Sequence, residues 1–184
     1  KILQEDEAIY GLGDRPSAPN LRGKRYELWA TDSYAYKKDQ EILYKSIPFY
    51  MGAHAGGCYG IFLDNSFRSH FDFGKTKTNR VKVAADGGEL NYYFIYGDDL
   101  LEVAENYTVL TGKPEMPPFW ALGYHQCKWS YYPEARVHEI ADKFRELQIP
   151  CDVIYLDIDY MDGFRVFTWD KEHFPDPKGL VQDL

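Results

Sequence analysis

The sequence predicts a β-sandwich followed by the beginning of a (β/α)8 TIM barrel that is truncated, so the chain combines β with mixed α/β structure. Short β-type runs separated by Gly, Asn and Asp occupy residues 1–112. The pattern then changes to strand, helix, strand, which is typical of a parallel sheet with a right-handed crossover. A complete barrel needs about 250 residues. Because the whole chain has 184 residues, we expect only the first portion of a barrel.

Seven runs in the first part predict the strands of an antiparallel sandwich. Several of them alternate apolar and polar residues, as strands with one buried face do. The runs are AIYGLG, KRYELWA, IPFYMGA, CYGIFLDN, FRSHFDFG, RVKVAA and LNYYFIYG. Asp86-Gly87-Gly88 separates the last two runs, and glycine reaches positive φ without steric cost. This tripeptide therefore predicts a hairpin turn between them.

A helix and a rigid connector mark the boundary between two domains. The segment DDLLEVAENYTVLTG has apolar residues at helical spacing and reaches Gly112, which predicts the end of the helix. The next segment, KPEMPP, predicts an extended connector, because residues before proline avoid the helical conformation. The sequence therefore divides into domains 1–113 and 114–184.

In the second domain, two apolar runs flank an amphipathic helix. ALGYHQ and CDVIYLDI predict two strands, and the second is apolar on both faces, as a strand buried on both sides is. The apolar residues of the helix recur at intervals of three and four, namely Val137, Ile140, Ala141, Phe144 and Leu147. Pro133 and Pro150 limit this helix to about residues 133–148. Asp176 and Pro177 predict the start of a further helix.

The composition indicates a folded chain that does not bind nucleic acid or membranes. Hydrophobic residues make up 45% of the chain and aromatic residues 17%, enough to bury a core. No apolar run approaches the ~20 residues of a membrane-spanning helix. The net charge of −8 repels phosphate backbones and anionic lipid surfaces. We therefore expect neither nucleic acid nor a membrane as a partner.

Three widely spaced cysteines, Cys58, Cys127 and Cys151, fit neither a disulfide framework nor a paired CxxC zinc motif. We expect them to be buried free thiols. No basic and apolar leader precedes Lys1. Free thiols together with the lack of a leader favour a cytoplasmic location.

The densest group of candidate functional residues is the acidic cluster Asp157, Asp159 and Asp162 in YLDIDYMD, at the end of the second predicted parallel strand. In barrel enzymes, the loops at this end of the strands form the active-site mouth. Within a strand, Asp157 and Asp159 would share one face. Since one carboxylate can accept hydrogen bonds from two neighbouring hydroxyl groups, sugar binding is one interpretation of the cluster.

Two other interpretations of the acidic cluster remain open at this point. A divalent metal would need a further ligand of the Asp/Asn/Gly loop type, which does not follow, and the five histidines are scattered. We therefore expect no metal site. Alternatively, the acids cap the next turn or pair with Arg165 at the surface.

Trp129 follows the first predicted barrel strand, in HQCKWSYYP, so it would also lie at the mouth. An indole face can stack on the apolar face of a sugar while its N–H binds a hydroxyl group. The alternative interpretation is a packing tryptophan that covers the barrel rim.

The segment GYHQCKWSYYPEARVHEIADKFRELQIPCDVIYLDIDYMDGFRVFTWDKEHFPDP resembles the first two strands of the catalytic barrel of glycoside hydrolase family 31. The string DIDYMD followed by FTWD and FPDP is the most specific part of the resemblance. Upstream, YGLGDR, LWATDSYAY and PFYM before GGCYGIFLDNS resemble the N-terminal β-sandwich of that family in order and spacing. The resemblance covers the whole chain.

The resemblance implies a role for four residues. Asp157 looks like the family aspartate that binds the outer hydroxyls of the non-reducing glucose, and Ile158 looks like its apolar neighbour. Asp32, in WATDSY, resembles an aspartate on a loop that the N-terminal domain inserts into the active-site mouth. Trp129 matches the aromatic position of the leaving-sugar subsite, where tryptophan is similar to members that favour α-1,6 links and tyrosine to those that favour α-1,4 links.

The resemblance implies a fragment of a retaining α-glucosidase that releases terminal non-reducing glucose from oligosaccharides of the isomaltose and maltose type, without a cofactor. Retaining hydrolysis needs a nucleophile and an acid/base carboxyl group about 5–5.5 Å apart. The family motifs for both groups, of which the nucleophile motif is WxDMNE-like, do not occur among these residues. We therefore expect no catalytic residue in this chain and no activity of the chain by itself.

Other functions share these features. A stand-alone carbohydrate-binding module would use the sandwich to bind glycans, and a family 31 α-xylosidase or transglycosylase has every motif quoted above. An unpaired edge on the second strand and an uncovered helix face also predict association of the chain into a homo-oligomer.

Overall fold

The computed structural model describes all residues, 1–184, and they form two compact units, Lys1–Lys113 and Pro114–Leu184. Each unit is described by itself. No helix of the chain combines the length and the apolar composition that crossing a membrane requires.

Seven strands make up most of the first unit. They are β1 (Ala8–Gly11), β2 (Arg25–Leu28), β3 (Phe49–His54), β4 (Gly57–Leu63), β5 (Ser69–Phe73), β6 (Val81–Ala85) and β7 (Tyr92–Gly97). One sheet has the order β1-β3-β4-β7 and the other the order β2-β5-β6. All pairs in these two sheets are antiparallel. Each of the seven predicted runs coincides with one of these strands to within one residue at the ends that extend beyond the run.

Side chains from both sheets fill a common core in the first unit. The strands contribute the buried residues Ile9, Tyr26, Leu28, Tyr50, Tyr59, Leu63, Phe71, Phe73 and Val81. The ring of Tyr50 meets the ring of Phe73 edge-on, with the centroids 5.0 Å apart. Edge-to-face contacts of this kind add to the free energy gained from burying the aromatic area. The alternating pattern of the strands therefore has the expected physical cause, an apolar face that packs against a second sheet.

The predicted hairpin at Asp86-Gly87-Gly88 is wrong. The strand before this turn, β6, pairs with β5, whereas the strand after it, β7, pairs with β4 in the other sheet. Gly88 does adopt a positive φ of 74°, so the turn chemistry is present. A tight turn reverses the chain, but it does not determine which strand pairs next. The hairpin of the four-stranded sheet lies instead between β3 and β4, where His54 pairs with Gly57.

The carboxylate of Glu7 is buried in the first unit, and both of its oxygens have polar partners. It forms an ion pair with Lys1 Nζ at 2.6 Å. The hydroxyl of Tyr59 donates a hydrogen bond to Glu7 Oε1 at 2.5 Å, and the backbone N–H of Gln4 donates to Oε2 at 2.8 Å. A buried charge is tolerated only with such partners, because its desolvation would otherwise cost several kcal/mol. Glu7 thus ties the N-terminal segment to strand β4.

Helix α1 (Leu100–Thr111) lies within the predicted segment and ends at Gly112, as predicted. The Asp99 side chain caps it by accepting a hydrogen bond from the N–H of Glu102 at 2.9 Å. Gly112, with φ of 88°, follows its last residue. Val103 is completely buried against the four-stranded sheet.

The second unit contains two short parallel strands and two α-helices. They are β8 (His125–Gln126), α2 (Glu134–Glu146), β9 (Val153–Ile154) and α3 (Pro177–Asp183). The parallel pairing and the crossover helix are confirmed. Both strands are shorter than the sequence predicts, and Phe119–Leu122, partly assigned to the first strand, forms a 3-10 helix. Each of these strands has a single partner, so a longer ladder gains little support from neighbours.

A small aromatic core holds the second unit together. Its buried members are Tyr131, Val137, Phe174 and Leu180, and Tyr160 and Trp169 pack against them. Asp176 caps α3 as predicted, accepting a hydrogen bond from the N–H of Gly179 at 3.0 Å.

The three cysteines are free, as predicted, but the expectation that they are buried is wrong. Cys127 is exposed, and Cys58 and Cys151 are half-buried. Cys127 follows the last residue of strand β8, Gln126, so it lies outside the parallel ladder.

We predict that acid destabilises the chain through Glu7. Burial alone would raise the pKa of Glu7, but hydrogen bonds from Lys1, Tyr59 and Gln4 outweigh burial and hold it below the ordinary value of 4.5. A carboxyl group whose pKa is lowered by folding stabilises the folded state above its unfolded pKa, and this contribution is lost as the pH falls through the folded pKa. Tyr59→Phe, which removes one donor, should lower the free energy of unfolding at pH 7 by about 2 kcal/mol. It should also flatten the loss of stability below pH 4.5.

Urea denaturation at several pH values measures both effects. The control is Tyr96→Phe, which removes an exposed hydroxyl that donates to Asp98. Equal losses of stability in the two variants would contradict the role assigned to Glu7.

Candidate functional site

The parallel pairing of β8 and β9 determines where the candidate site residues leave the sheet. The N–H of Asp152 donates to the carbonyl of Tyr124 at 2.9 Å, and the N–H of Tyr155 donates to the carbonyl of Gln126 at 3.0 Å. The two strands therefore end level with each other. Residues that follow them, including Trp129 and Asp157, belong to the loops at the carboxyl ends of the parallel strands, where barrel enzymes place their sites.

One side chain fixes the register of this pair. Asp152 Oδ2 accepts a hydrogen bond from the N–H of Tyr124 at 3.0 Å. The same carboxylate lies against Gly123, where a Cβ atom would stand 2.0 Å from Oδ2. Glycine at position 123 is thus what allows the carboxylate to reach the start of β8.

Asp157 is exposed, and its backbone has a φ of 64°. Asparagine and aspartate tolerate this left-handed conformation better than most residues. No hydrogen bond or ion pair within the protein engages its carboxylate, whereas the nearby Asp162 forms an ion pair with Arg165. The Asp157 carboxylate is therefore free to accept hydrogen bonds from a ligand.

The prediction that Asp157 and Asp159 share a strand face is wrong. Strand β9 ends at Ile154, so both aspartates lie in the following loop, where the alternation of a strand does not apply. The positive φ of Asp157 breaks the extended backbone at that residue. Ile158, next to Asp157, keeps 40% of its side chain exposed and offers an apolar surface beside the carboxylate.

Asp159 lines a cavity of about 410 Å3 in the same loop region. The other lining residues are Tyr132, Met161, Gly163, Phe164 and Asp170. Two carboxylates, one phenol and an exposed phenylalanine ring thus surround one concave surface. A surface of this composition suits a polyhydroxylated ligand, because carboxylates accept from hydroxyl groups and the ring contacts the apolar face.

Asp170 and His173 are functional candidates that the sequence analysis missed. His173 Nδ1 lies 2.8 Å from Asp170 Oδ2, and the Tyr132 hydroxyl donates to the same oxygen at 3.5 Å. Burial would raise the pKa of Asp170, but the hydrogen bonds from His173 and from the backbone of Glu172 outweigh it and lower the pKa. Asp170 is therefore ionised at neutral pH. The spacing of aspartate and histidine in WDKEH is the sequence signal that could have identified Asp170 and His173.

Asp162 matches the surface interpretation of the acidic cluster. It forms an ion pair with Arg165, and both side chains are exposed. No group of three or more His, Cys, Asp or Glu side chains in the chain is arranged to hold a metal ion.

Trp129 leaves 78% of its side chain exposed. No side chain of residues 114–184 covers the indole, so its face is open on this unit.

Asp32 belongs to the first unit and lies on the segment between β2 and β3, where its side chain is exposed. Its neighbours hold the segment in place: the N–H of Thr31 donates to the carbonyl of Leu43 at 3.0 Å, and the Ser33 hydroxyl donates to the carbonyl of Ile42 at 3.2 Å. The carboxylate of Asp32 therefore lies on a loop that backbone and side-chain hydrogen bonds hold in place.

Comparison with known proteins assigns both units to one family. Residues 1–72 match the family model of the glycosyl hydrolase 31 N-terminal galactose mutarotase-like domain, and residues 114–184 match the glycosyl hydrolases family 31 TIM-barrel domain. Alpha-glucosidase 2 of Bacillus thermoamyloliquefaciens is 44% identical over 100% of this chain and 23% of its own length. Alpha-xylosidase XylQ of Lactiplantibacillus pentosus is 37% identical over 97% of this chain and 23% of its own length.

The solved structures give the same assignment. A GH31 dextranase variant of Flavobacterium johnsoniae, complexed with isomaltotriose, superposes with a TM-score of 0.91 and is 43% identical; the match covers 99% of this chain and 22% of the dextranase. The chain thus spans less than a quarter of the length of these relatives. With family models matching in both units and relatives aligned along nearly its whole length, the chain belongs to glycoside hydrolase family 31.

Proposed function

We propose that this chain supplies part of the substrate-binding site of a retaining α-glucosidase that releases terminal, non-reducing, α-linked glucose from small oligosaccharides. The observation that carries the proposal is the unpaired, exposed carboxylate of Asp157, which follows a parallel strand of the barrel unit. Asp157 accepts hydrogen bonds from two adjacent hydroxyl groups of the glucose, and Ile158 contacts its apolar surface. The solved dextranase with bound isomaltotriose supports an α-glucan as the substrate class.

In this proposal, residues 114–184 begin a (β/α)8 barrel, and β8 and β9 are its first two strands. Hydrolysis with retention needs two carboxyl groups, one that attacks the anomeric carbon and one that protonates the leaving oxygen. The nucleophile and the acid/base belong to later strands of the same protein, so this chain binds and orients the sugar without breaking the bond. The length of the relatives, more than four times that of the chain, leaves room for those strands.

Trp129 is proposed to contact the leaving sugar, and Asp32 to reach the mouth of the site from the N-terminal domain. A flat indole stacks on a sugar ring over a larger area than a phenol does. We propose that this contact favours α-1,6-linked substrates, in keeping with the dextranase among the similar structures.

A second candidate function is hydrolysis of an α-xyloside. It is favoured by one observation, the 37% identity to the alpha-xylosidase XylQ. Glucose differs from xylose by its exocyclic hydroxymethyl group, so the ratio of activities on p-nitrophenyl α-glucoside and α-xyloside separates the two functions.

We predict that Asp157→Ala lowers kcat/KM of the full-length protein on isomaltose by about 100-fold or more, since about 2.7 kcal/mol of charge-assisted hydrogen bonding is lost. Steady-state hydrolysis measures the change. Asp162→Ala is the matched control, because Asp162 is exposed in the same loop and pairs with Arg165 instead. A similar loss in both variants would show that the loop, and not the Asp157 carboxylate, matters.

Trp129→Tyr in the full-length protein should lower the ratio of kcat/KM for isomaltose to kcat/KM for maltose by about five- to tenfold, because the stacking area on the leaving sugar shrinks. The measurement is hydrolysis of the two disaccharides side by side. Trp169→Tyr serves as a core control, since Trp169 packs against Tyr160 and Phe174. An unchanged ratio in Trp129→Tyr would contradict the assigned contact.

The chain of residues 1–184 by itself should not hydrolyse p-nitrophenyl α-glucoside above the buffer rate, because it lacks the nucleophile and acid/base motifs. A sensitive release assay with the purified chain and with its Asp157→Ala variant checks this. Turnover that depends on Asp157 would mean that catalytic groups lie within these residues.

A further inference from the structure

A second cavity, of about 530 Å3, lies wholly within the first unit, and we call it the sandwich cavity. Its volume lies within the range of small-molecule sites. The lining includes two aromatic side chains that remain about half exposed, Trp29 at 48% and Phe67 at 53%. The polar lining side chains with a free oxygen are Ser46, Asp64 and Ser66.

The ring of Phe67 is held in position by a pair of glycines. A Cβ atom at Gly87 would lie 2.7 Å from the ring, and one at Gly88 would lie 3.0 Å from it. Asn65 fixes the same region: its Nδ2 donates to the carbonyls of Gly87 and Glu89, both at 2.9 Å, and its Oδ1 accepts from the N–H of Phe67 at 2.7 Å. One side of the ring thus rests on the turn, and the exposed remainder is preorganised to contact a ligand.

Trp29 is supported in a similar way. The guanidinium carbon of Arg68 lies 5.1 Å from the centroid of the Trp29 ring, and Arg68 itself pairs with Glu27 at 3.2 Å. The cation covers part of the indole and restricts its orientation. The cavity therefore has two aromatic surfaces, each backed by its own neighbours.

Ser46 supplies the second independent observation. Its Oγ is inaccessible to solvent and has no hydrogen-bond partner in the structure. Leaving a buried hydroxyl unpaired costs about 1–3 kcal/mol, so such groups are rare without a reason. The oxygen is closed to solvent in the free protein, so a ligand hydroxyl would pair with it after the serine side chain rotates to another staggered rotamer that faces the cavity.

The charges of the lining select the class of ligand. Asp64 is the one ionisable residue among the lining side chains, and its Oδ2 already accepts from Asn91 Nδ2 at 3.0 Å. No lysine or arginine lines the cavity, so nothing there would compensate an anionic ligand. Aromatic surfaces combined with hydroxyl groups and one carboxylate fit a neutral, polyhydroxylated ring.

We propose that the sandwich cavity binds a hexose unit of an α-glucan, as a sugar site separate from the one proposed at Asp157. Phe67 and Trp29 contact the apolar surface of the sugar ring, Ser46 pairs with one sugar hydroxyl, and Asp64 accepts from another. The site goes beyond the proposed function, since it involves none of the residues assigned to the hydrolytic site.

The test is isothermal titration of the chain of residues 1–184 with maltose and with isomaltose, in an Asp157→Ala background that disables the other proposed site. Binding should persist in that background. Phe67→Ala should weaken it about tenfold, as truncation of an aromatic anchor does. Tyr34→Ala, at an aromatic position that is 94% exposed outside the cavity, should leave it unchanged. Circular dichroism shows whether each variant is folded, and Phe67→Leu replaces Phe67→Ala if the latter is not.

Ser46→Ala separates a binding role from a structural one. It should weaken sugar binding several-fold without lowering the free energy of unfolding, because it removes a hydroxyl that has no partner in the free protein. Absence of sugar binding in the Asp157→Ala background would overturn the proposal, and so would equal affinity in the Phe67 and Tyr34 variants. Neither result bears on the hydrolytic site, which the activity of the full-length protein tests separately.

Discussion

The register of the parallel pair β8–β9 is the constraint on which the candidate hydrolytic site depends. Asp152 secures it by binding the N–H of Tyr124 with its carboxylate, in a space that only glycine at position 123 leaves open. A shift of one residue would turn the side chains within the shifted strand to the opposite face and would displace the start of the loop that follows it. Because the strands end level, Trp129 and Asp157 emerge in adjacent loops at the same edge. A single carboxylate at the start of the strands thus sets the positions of side chains at their end.

The carboxylates after β9 differ in what they bind, and this difference separates acids that have a partner in the chain from acids that are open to a ligand. Asp162 pairs with Arg165, Asp170 with His173, and Asp176 with the first turn of α3. Asp157 and Asp159 have no hydrogen-bond or ion-pair partner for their carboxylates in the chain, and Asp157 is the more exposed of the two. Because Asp157 is exposed, water solvates its charge in the free protein, so the unpaired carboxylate costs little free energy. A sugar that replaces this water can therefore bind through Asp157 without first breaking an ion pair.

Features of the fold that depend on local chemistry could be predicted from the sequence, whereas the pairing of distant strands could not. Pro133 and Pro150 limit α2 to within a few residues of its observed ends, and Asp176 caps its helix as expected. Asp86-Gly87-Gly88 was assigned to a hairpin because its turn chemistry is local, whereas the choice between β4 and β5 as partner depends on packing far along the chain. The positive φ of Asp157 could not be predicted either, because the apolar pattern of the sequence does not show where a short strand ends.

The two proposed sugar sites use the same physical principle with different polar groups. In each, an aromatic side chain remains exposed and an oxygen of the same region lacks a partner in the chain. Trp129 and Asp157 lie in the loops after β8 and β9, and Phe67 and Ser46 line the sandwich cavity. Each contact of this kind is weak, because water competes for the hydroxyl groups of a sugar. The Asp157 carboxylate can accept from two adjacent hydroxyl groups, whereas Ser46 and Asp64 would each bind one, so the preference of each site for a sugar would depend on different polar groups.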